Sequence, residues 1–183
     1  MTRATSEAKR SRGGGPNGDQ HCLAVGDGVS DSSPGRASPR EVFERARRSV
    51  IACDANGFAN LFAPDGIMEF PFGGAAVGLP ECLEGREQIR QHLLTALGRA
   101  KQSGRRPVAY DALMLHETSD PELLIAEFDL QGEVASTGET YLVPYVQVFR
   151  IRDGQIVSMR DYFPGDRLAA LVKLAAAAVE VAG

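Results

Sequence analysis

The chain has 183 residues, 43% of them hydrophobic and 24% charged, with a formal net charge of -4. That size and balance predict one soluble globular domain with something appended. The acidic balance excludes a nucleic-acid partner, which needs clustered Lys and Arg, and no apolar run approaches the roughly 20 residues that span a bilayer.

Residues 1–37 are rich in Gly, Ser, Asp and Arg and carry no sustained apolar period. They are expected to form a disordered leader, because they bury too little to offset the entropy of ordering. A domain is expected over residues 38–183. It opens at "SPRE": Ser38 caps, Pro39 suits the first helical position and Glu41 completes a capping box. Val42, Phe43, Ala46, Val50 and Ile51 recur at helical spacing. The helix is expected to break at "DANG" and restart briefly, "APDG" to turn, and "IMEFPF" to form a short strand. "GGAAVGLPECLEG" reads as a loop. "REQIRQHLLTALGRAK" reads as a second long helix with Ile89, Leu93 and Leu97 on its buried stripe.

Beyond "SGRRP" come four strand-like runs, "VAYDALMLHE", "ELLIAEFDLQGEVA", "TYLVPYVQVFRI" and "QIVSMRDYF", joined by "TSDP", "STGE" and "RDG" turns. Short connections favour an antiparallel meander. "GDRLAALVKLAAAAVEVA" closes the chain as a helix. Helices first and a curved antiparallel sheet later make an α+β domain.

The arrangement resembles the nuclear transport factor 2-like superfamily, in which a bent sheet wraps around helices and leaves a deep apolar pocket. "FAPDGIMEFPFG" looks like the entry of ketosteroid isomerase and SnoaL-type cyclases. "FRIRDGQIVSMRDYF" is similar to the closing hairpin of limonene epoxide hydrolase, and "ETSDPELLIAEFDLQGEV" looks like the phenazine-biosynthesis A/B proteins. The resemblance covers roughly residues 40–170 and leaves the activity open, since one scaffold hosts many chemistries. The isomerase's groups are missing: Phe70 stands at its base aspartate, Gln147 at its proton-donating acid and Ala46 near its helical tyrosine. The epoxide hydrolase's Asp, Arg and Asp cluster is incomplete. Asp161 matches one aspartate, and Asp129 the other if the "GEVASTGE" hairpin carries one extra residue. Glu127 replaces the arginine, while Met68 and Phe70 replace the Tyr and Asn that hold water. The cyclase's acid/base aspartate coincides with Asp161.

Alternation of side chains supplies an independent check. In "IVSMRDYF", Val157, Met159, Asp161 and Phe163 share a face, three apolar groups and one acid. On the strand from Leu123, composition makes Leu124, Ala126, Phe128 and Leu130 the better core stripe, whereas the resemblance turns the odd residues inward. That second arrangement gathers Glu127, Asp129, Tyr145, Gln147 and Asp161 with Met68, Phe70, Phe72, Met159 and Phe163. Apolar walls with a few convergent polar groups suit a small molecule. Paired acids there would share a proton and could move one between two substrate atoms. The expected catalytic groups are Asp161, Asp129 and Glu127. Tyr145, Tyr141 and Gln147 could bind substrate oxygens, with Phe70, Met68, Phe72, Met159 and Phe163 as walls. The competing readings are an ion pair between Asp161 and Arg160 or Arg167, an outward or interface position for Asp129, and a solvated Glu127.

His116 reads as an exposed strand end, Glu69 as a rim or interface residue, and His21 falls in the leader. No metal-ligand spacing, phosphate-cradling loop or catalytic Ser-His-Asp order is apparent, so no metal or cofactor is expected. Cys22, Cys53 and Cys82 are far apart and odd in number, which suits a reducing compartment; together with the missing secretory pattern this predicts a cytoplasmic protein. The resulting expectation is a cofactor-independent acid/base enzyme of isomerase, cyclase, dehydratase or epoxide-opening type. It would act on a bulky hydrophobic molecule in natural-product biosynthesis, without nucleic acid or membrane, as the homodimer usual in the resembling families. The alternative is a non-catalytic ligand-binding or dimerisation module of the same fold.

Overall fold

Ser38 accepts a hydrogen bond from the Glu41 amide while the Glu41 carboxylate accepts one from the Ser38 amide, and this capping box starts helix α1, Pro39–Ile51, in the computed structural model of the chain. The structure describes residues 36–135 and 137–182; nearly all of the expected leader, with His21 and Cys22, lies outside the described residues. Helix α1 buries Val42, Phe43 and Ala46. It ends where Cys53 takes a left-handed conformation at φ 53°. There the Cys53 amide donates to the Val50 carbonyl (3.0 Å) and the Asp54 amide to the Ser49 carbonyl (2.8 Å). This is the paired-bond helix stop that glycine usually occupies. Asp54 then caps a short helix α2, Ala55–Ala59.

Strand β1 runs Phe62–Glu69, one turn of 3-10 helix follows at Ala75–Val77, and β2 is Cys82–Glu84. Helix α3 is Arg86–Gln102, then come β3 Arg105–Glu117, β4 Leu123–Val134, β5 Thr140–Arg152, β6 Gln155–Tyr162 and helix α4 Gly165–Ala182. The expected "APDG" turn lies inside β1. Phe62 and Ile67 pair with Ile156 and Ser158, so the turn-forming residues bulge out of the ladder without ending the strand. The expected loop before α3 also contains β2, which pairs Leu83 with Met68.

The six strands lie in the order β2-β1-β6-β5-β4-β3. The last four form the expected antiparallel meander, and β1 adds to it in parallel beside β6. The concave face packs on α1 and α3 through Phe43, Ile89, Leu124, Phe128, Phe149 and Met159, among others. This is an α+β fold with a mixed, curved, open sheet. No described helix is long and apolar enough to cross a membrane.

Candidate functional site

The ladder between β4 and β5 runs without irregularity from Leu123 opposite Arg150 to Glu133 opposite Thr140. In this register Leu124, Ala126 and Phe128 stand opposite Phe149, Gln147 and Tyr145 and are buried. Glu127 and Asp129 therefore point to the outer face, away from Asp161. Composition favoured this arrangement, since burying two carboxylates without a cation is costly. Glu127 bonds to His116 at 3.0 Å, so neither residue is a bare solvated end. Phe72 is also outside, 83% exposed, with its ring 5.5 Å from that of Tyr162. Phe72, Glu127, Asp129 and Tyr162 nevertheless border, together with Tyr145 and Phe163, a cavity of about 470 Å³.

Asp161 lies on the concave face. It sits opposite Gln147 in the β5–β6 ladder, and Gln147 Nε2 donates to Asp161 Oδ1 at 3.0 Å. Asp161 is 7% exposed and Gln147 9% exposed. Burial raises the Asp161 pKa to about 7, against the opposing effect of the Gln147 hydrogen bond. The ion-pair reading is not what the structure has. Arg160 alternates to the other face and donates to Glu69 at 2.9 Å. Arg167 belongs to α4 and borders a separate cavity of about 600 Å³ with Asp111, Tyr141 and Leu142. Among the described residues, Asp161 has no salt-bridge partner.

Aromatic rings share the face on which this carboxyl lies. Tyr145 stacks on Phe128 at 5.4 Å and lies 5.5 Å from Phe163, whose ring is 6.4 Å from Phe70. Met68 pairs with Met159 across β1 and β6, and both are buried. The expected residues brought together on the concave face are thus Asp161, Gln147, Tyr145, Met68, Phe70, Met159 and Phe163. Tyr141 shares that face by register but stands farther along β5: its ring lies over Gly132, where an added Cβ would fall 2.2 Å from the Tyr141 Cζ. A cross-strand ring covering a glycine is a packing role.

Two inward residues escaped the sequence reading. Tyr110 packs 4.2 Å from Phe128 and 6.3 Å from Phe43, opposite Leu130 in the β3–β4 ladder. Burial, then the Asp161 charge, raises its pKa, and the same two causes act in that order on Tyr145, so both phenols keep their protons. His92 of α3 is half-buried, with its ring 5.9 Å from Phe70. Burial and then Arg99 lower its pKa, favouring the neutral imidazole. Helical spacing offered a signal for His92, three residues after the buried Ile89. Among the described residues, no group of three or more His, Cys, Asp or Glu side chains could hold a metal ion.

Residues 42–159 match the SnoaL-like domain family. The chain belongs to that family. Its curved sheet and helices have the nuclear transport factor 2-like fold. It is 34% identical over 145 residues to an uncharacterized PhzA/B-like protein of Pseudomonas aeruginosa, covering 79% of this chain and 97% of the relative. A Bacillus subtilis structure provisionally called an isomerase superposes with a TM-score of 0.57 at 26% identity, over 68% of this chain and 84% of that one. A Pseudomonas putida structure provisionally called a polyketide cyclase gives a TM-score of 0.56 at 17% identity, over 73% and 97% of the two chains.

Proposed function

We propose that this SnoaL-like protein is a cofactor-independent acid/base enzyme acting on a bulky, largely apolar small molecule. The supporting observation is Asp161, a carboxyl buried on a concave face that also carries aromatic rings, with a glutamine and, among the described residues, no cation beside it. A pKa of about 7 leaves it able both to take and to return a proton near neutral pH. With Glu127 and Asp129 on the outer face, the half-buried His92 of α3, beside Phe70, is a second group suited to proton transfer. Gln147 holds one carboxyl oxygen and Tyr145 offers a phenolic donor. The reaction class comprises isomerisation, ring closure, dehydration and epoxide opening. The PhzA/B-like relative and the cyclase-like neighbour support a setting in natural-product assembly.

Proton exchange at carbon tests this reading before the natural substrate is known. A panel of apolar ketones and β-keto esters is incubated with the protein in deuterated buffer and followed by proton NMR. Wild type is expected to exchange an acidic C–H, and Asp161→Asn to slow that exchange by about 100-fold or more. Exchange that is equally fast in the variant would remove Asp161 from the chemistry.

One observation favours a second reading, a pocket that binds without reacting. The Tyr110, Phe128 and Tyr145 rings pack at 4.2 Å and 5.4 Å on the concave face, and Asp161 borders neither the 470 Å³ nor the 600 Å³ cavity. Tight binding of an apolar probe with no exchange by wild type over hours would select this alternative. We also propose a homodimer joined through the outer face, where Met114, Val146 and Leu142 are 54%, 38% and 40% exposed.

A further inference from the structure

Phe72 is 83% exposed, the most open of the large apolar side chains described, yet its place is fixed. The Gly73 backbone beside it sits so close to the end of β6 that an added Cβ would fall 2.5 Å from the Phe163 carbonyl oxygen. The Phe72 ring is thereby held 5.5 Å from that of Tyr162, tilted by 50°. With Met114 and Val146 these rings give the 470 Å³ cavity an apolar wall, and that volume lies in the usual range of small-molecule sites. A fixed apolar patch left open beside a cavity points to something that covers it.

The same cavity is bordered by two carboxylates, Glu127 and Asp129, two residues apart on one face of β4. The β3–β4 ladder sets Asp111 directly opposite Asp129, and like charges placed so destabilise a sheet. The cations nearby are engaged elsewhere: Arg106 with Glu133 at 2.7 Å, Arg105 with Ser103 at 2.9 Å and Arg160 with Glu69 at 2.9 Å. Glu127 has only His116, at 3.0 Å. Among the described residues, no Lys or Arg borders the cavity, and Asp129 has no ion-pair partner.

We propose that this cavity binds a small organic ammonium ion, its charge against Glu127 and Asp129 and its apolar body against Phe72 and Tyr162. Carboxylates attract the cation, and the faces of aromatic rings attract it further through their quadrupole. Met114 adds a polarisable contact for the body. A purely apolar ligand would strip water from two carboxylates without replacing it, and an anion would be repelled. A bare metal ion is not the occupant, because no group of three or more His, Cys, Asp or Glu among the described residues could hold one. Asp161 does not border the cavity, so the site and its test are independent of the acid/base chemistry. Met114 and Val146 also belong to the face proposed for assembly, so the ligand and a second copy compete for them.

The probe is benzyltrimethylammonium, titrated into the full chain carrying labelled methionine methyl groups and followed by NMR. Saturable binding is expected to move the Met114 signal and to leave those of the buried Met68 and Met159 in place. Neopentylbenzene, the neutral isostere, is expected to bind about fivefold more weakly or worse, the range for losing two exposed ion pairs. The double variant Glu127→Gln with Asp129→Asn should weaken the cation by the same factor and leave neopentylbenzene unchanged. Phe72→Ala, which removes no core packing, should weaken the cation by about threefold, the range for one exposed cation–π contact. Equal affinity for the cation and its isostere, or a double variant that binds the cation as well as wild type, would overturn the inference. Shifts at Met68 and Met159 with Met114 unmoved would place the probe on the concave face and overturn it too. Absence of saturable binding, or binding lost as protein concentration rises, would assign the apolar wall to a second copy instead of a ligand.

Discussion

Replacing Asp161 by Asn is expected to stabilise the protein at alkaline pH and to leave it nearly unchanged at pH 4. The carboxyl has an ordinary pKa of 3.8, and burial raises it to about 7 in the folded chain. Between those values the folded state holds a proton that the unfolded state has released. Stability therefore falls as pH rises through that window and levels off above it. At 1.36 kcal/mol per pKa unit, the penalty above pH 7 approaches about 4 kcal/mol, an upper bound because a charged Asp161 would draw in water. Asn keeps the shape and still accepts the Gln147 hydrogen bond, but has no proton to lose. Tyr110 and Tyr145 lie on the same face and stay protonated throughout, because burial and the Asp161 charge both raise their pKa values. Arg160 and Glu69 pair on the far side of the sheet. Urea unfolding of both proteins at intervals from pH 4 to pH 8 measures the gap directly. A gap that stays flat, or an Asn variant less stable than wild type at pH 8, would refute the argument.

At the end of α1, Cys53→Gly is expected to raise stability by about 0.5–1 kcal/mol, the left-handed strain relieved less the added chain entropy. Thermal unfolding should record a gain of about 1–4 °C; a loss would mean that the thiol makes a stabilising contact. For assembly, sedimentation at micromolar concentration is expected to give twice the 19.6 kDa chain mass. Met114→Glu on the outer face should return it to a single chain, whereas a wild-type protein already sedimenting at the single-chain mass would contradict the dimer.

The sequence was most legible where the signal is local. The Ser38–Glu41 capping box, the stop after Ile51 and the uninterrupted β4–β5 hairpin follow from turn residues and alternation alone. It was least legible where strands meet at long range or lose their period. Nothing between Phe62 and Glu69 announces parallel pairing with β6, and the "APDG" signature reads as a turn because its bulge exists only against that partner. Glu127 and Asp129 show a different failure. Matching them to the epoxide hydrolase's acids overrode the alternation of Leu124, Ala126 and Phe128, and the apolar stripe decided which face is buried. Tyr110 was hidden by the one-residue excess between Asp111 and Met114, which breaks the period that would have pointed it inward.

Asp161 was legible for the opposite reason, being an exception inside an intact period. The alternation through Met159 and Phe163 requires residue 161 to face the core, and the register opposite Gln147 gives it one neutral donor there. A sequence selected for stability alone would place an apolar residue or an amide at that position, because a lone buried carboxyl loses solvation without gaining a cation. Proteins retain such costs chiefly where function needs them. The same burial that weakens the fold above pH 7 brings the proton affinity of Asp161 into the range where it can be exchanged with a bound molecule. Stability and proton transfer should therefore change in opposite directions in Asp161→Asn. A variant that gained stability and kept full exchange activity would show that the buried charge is merely tolerated.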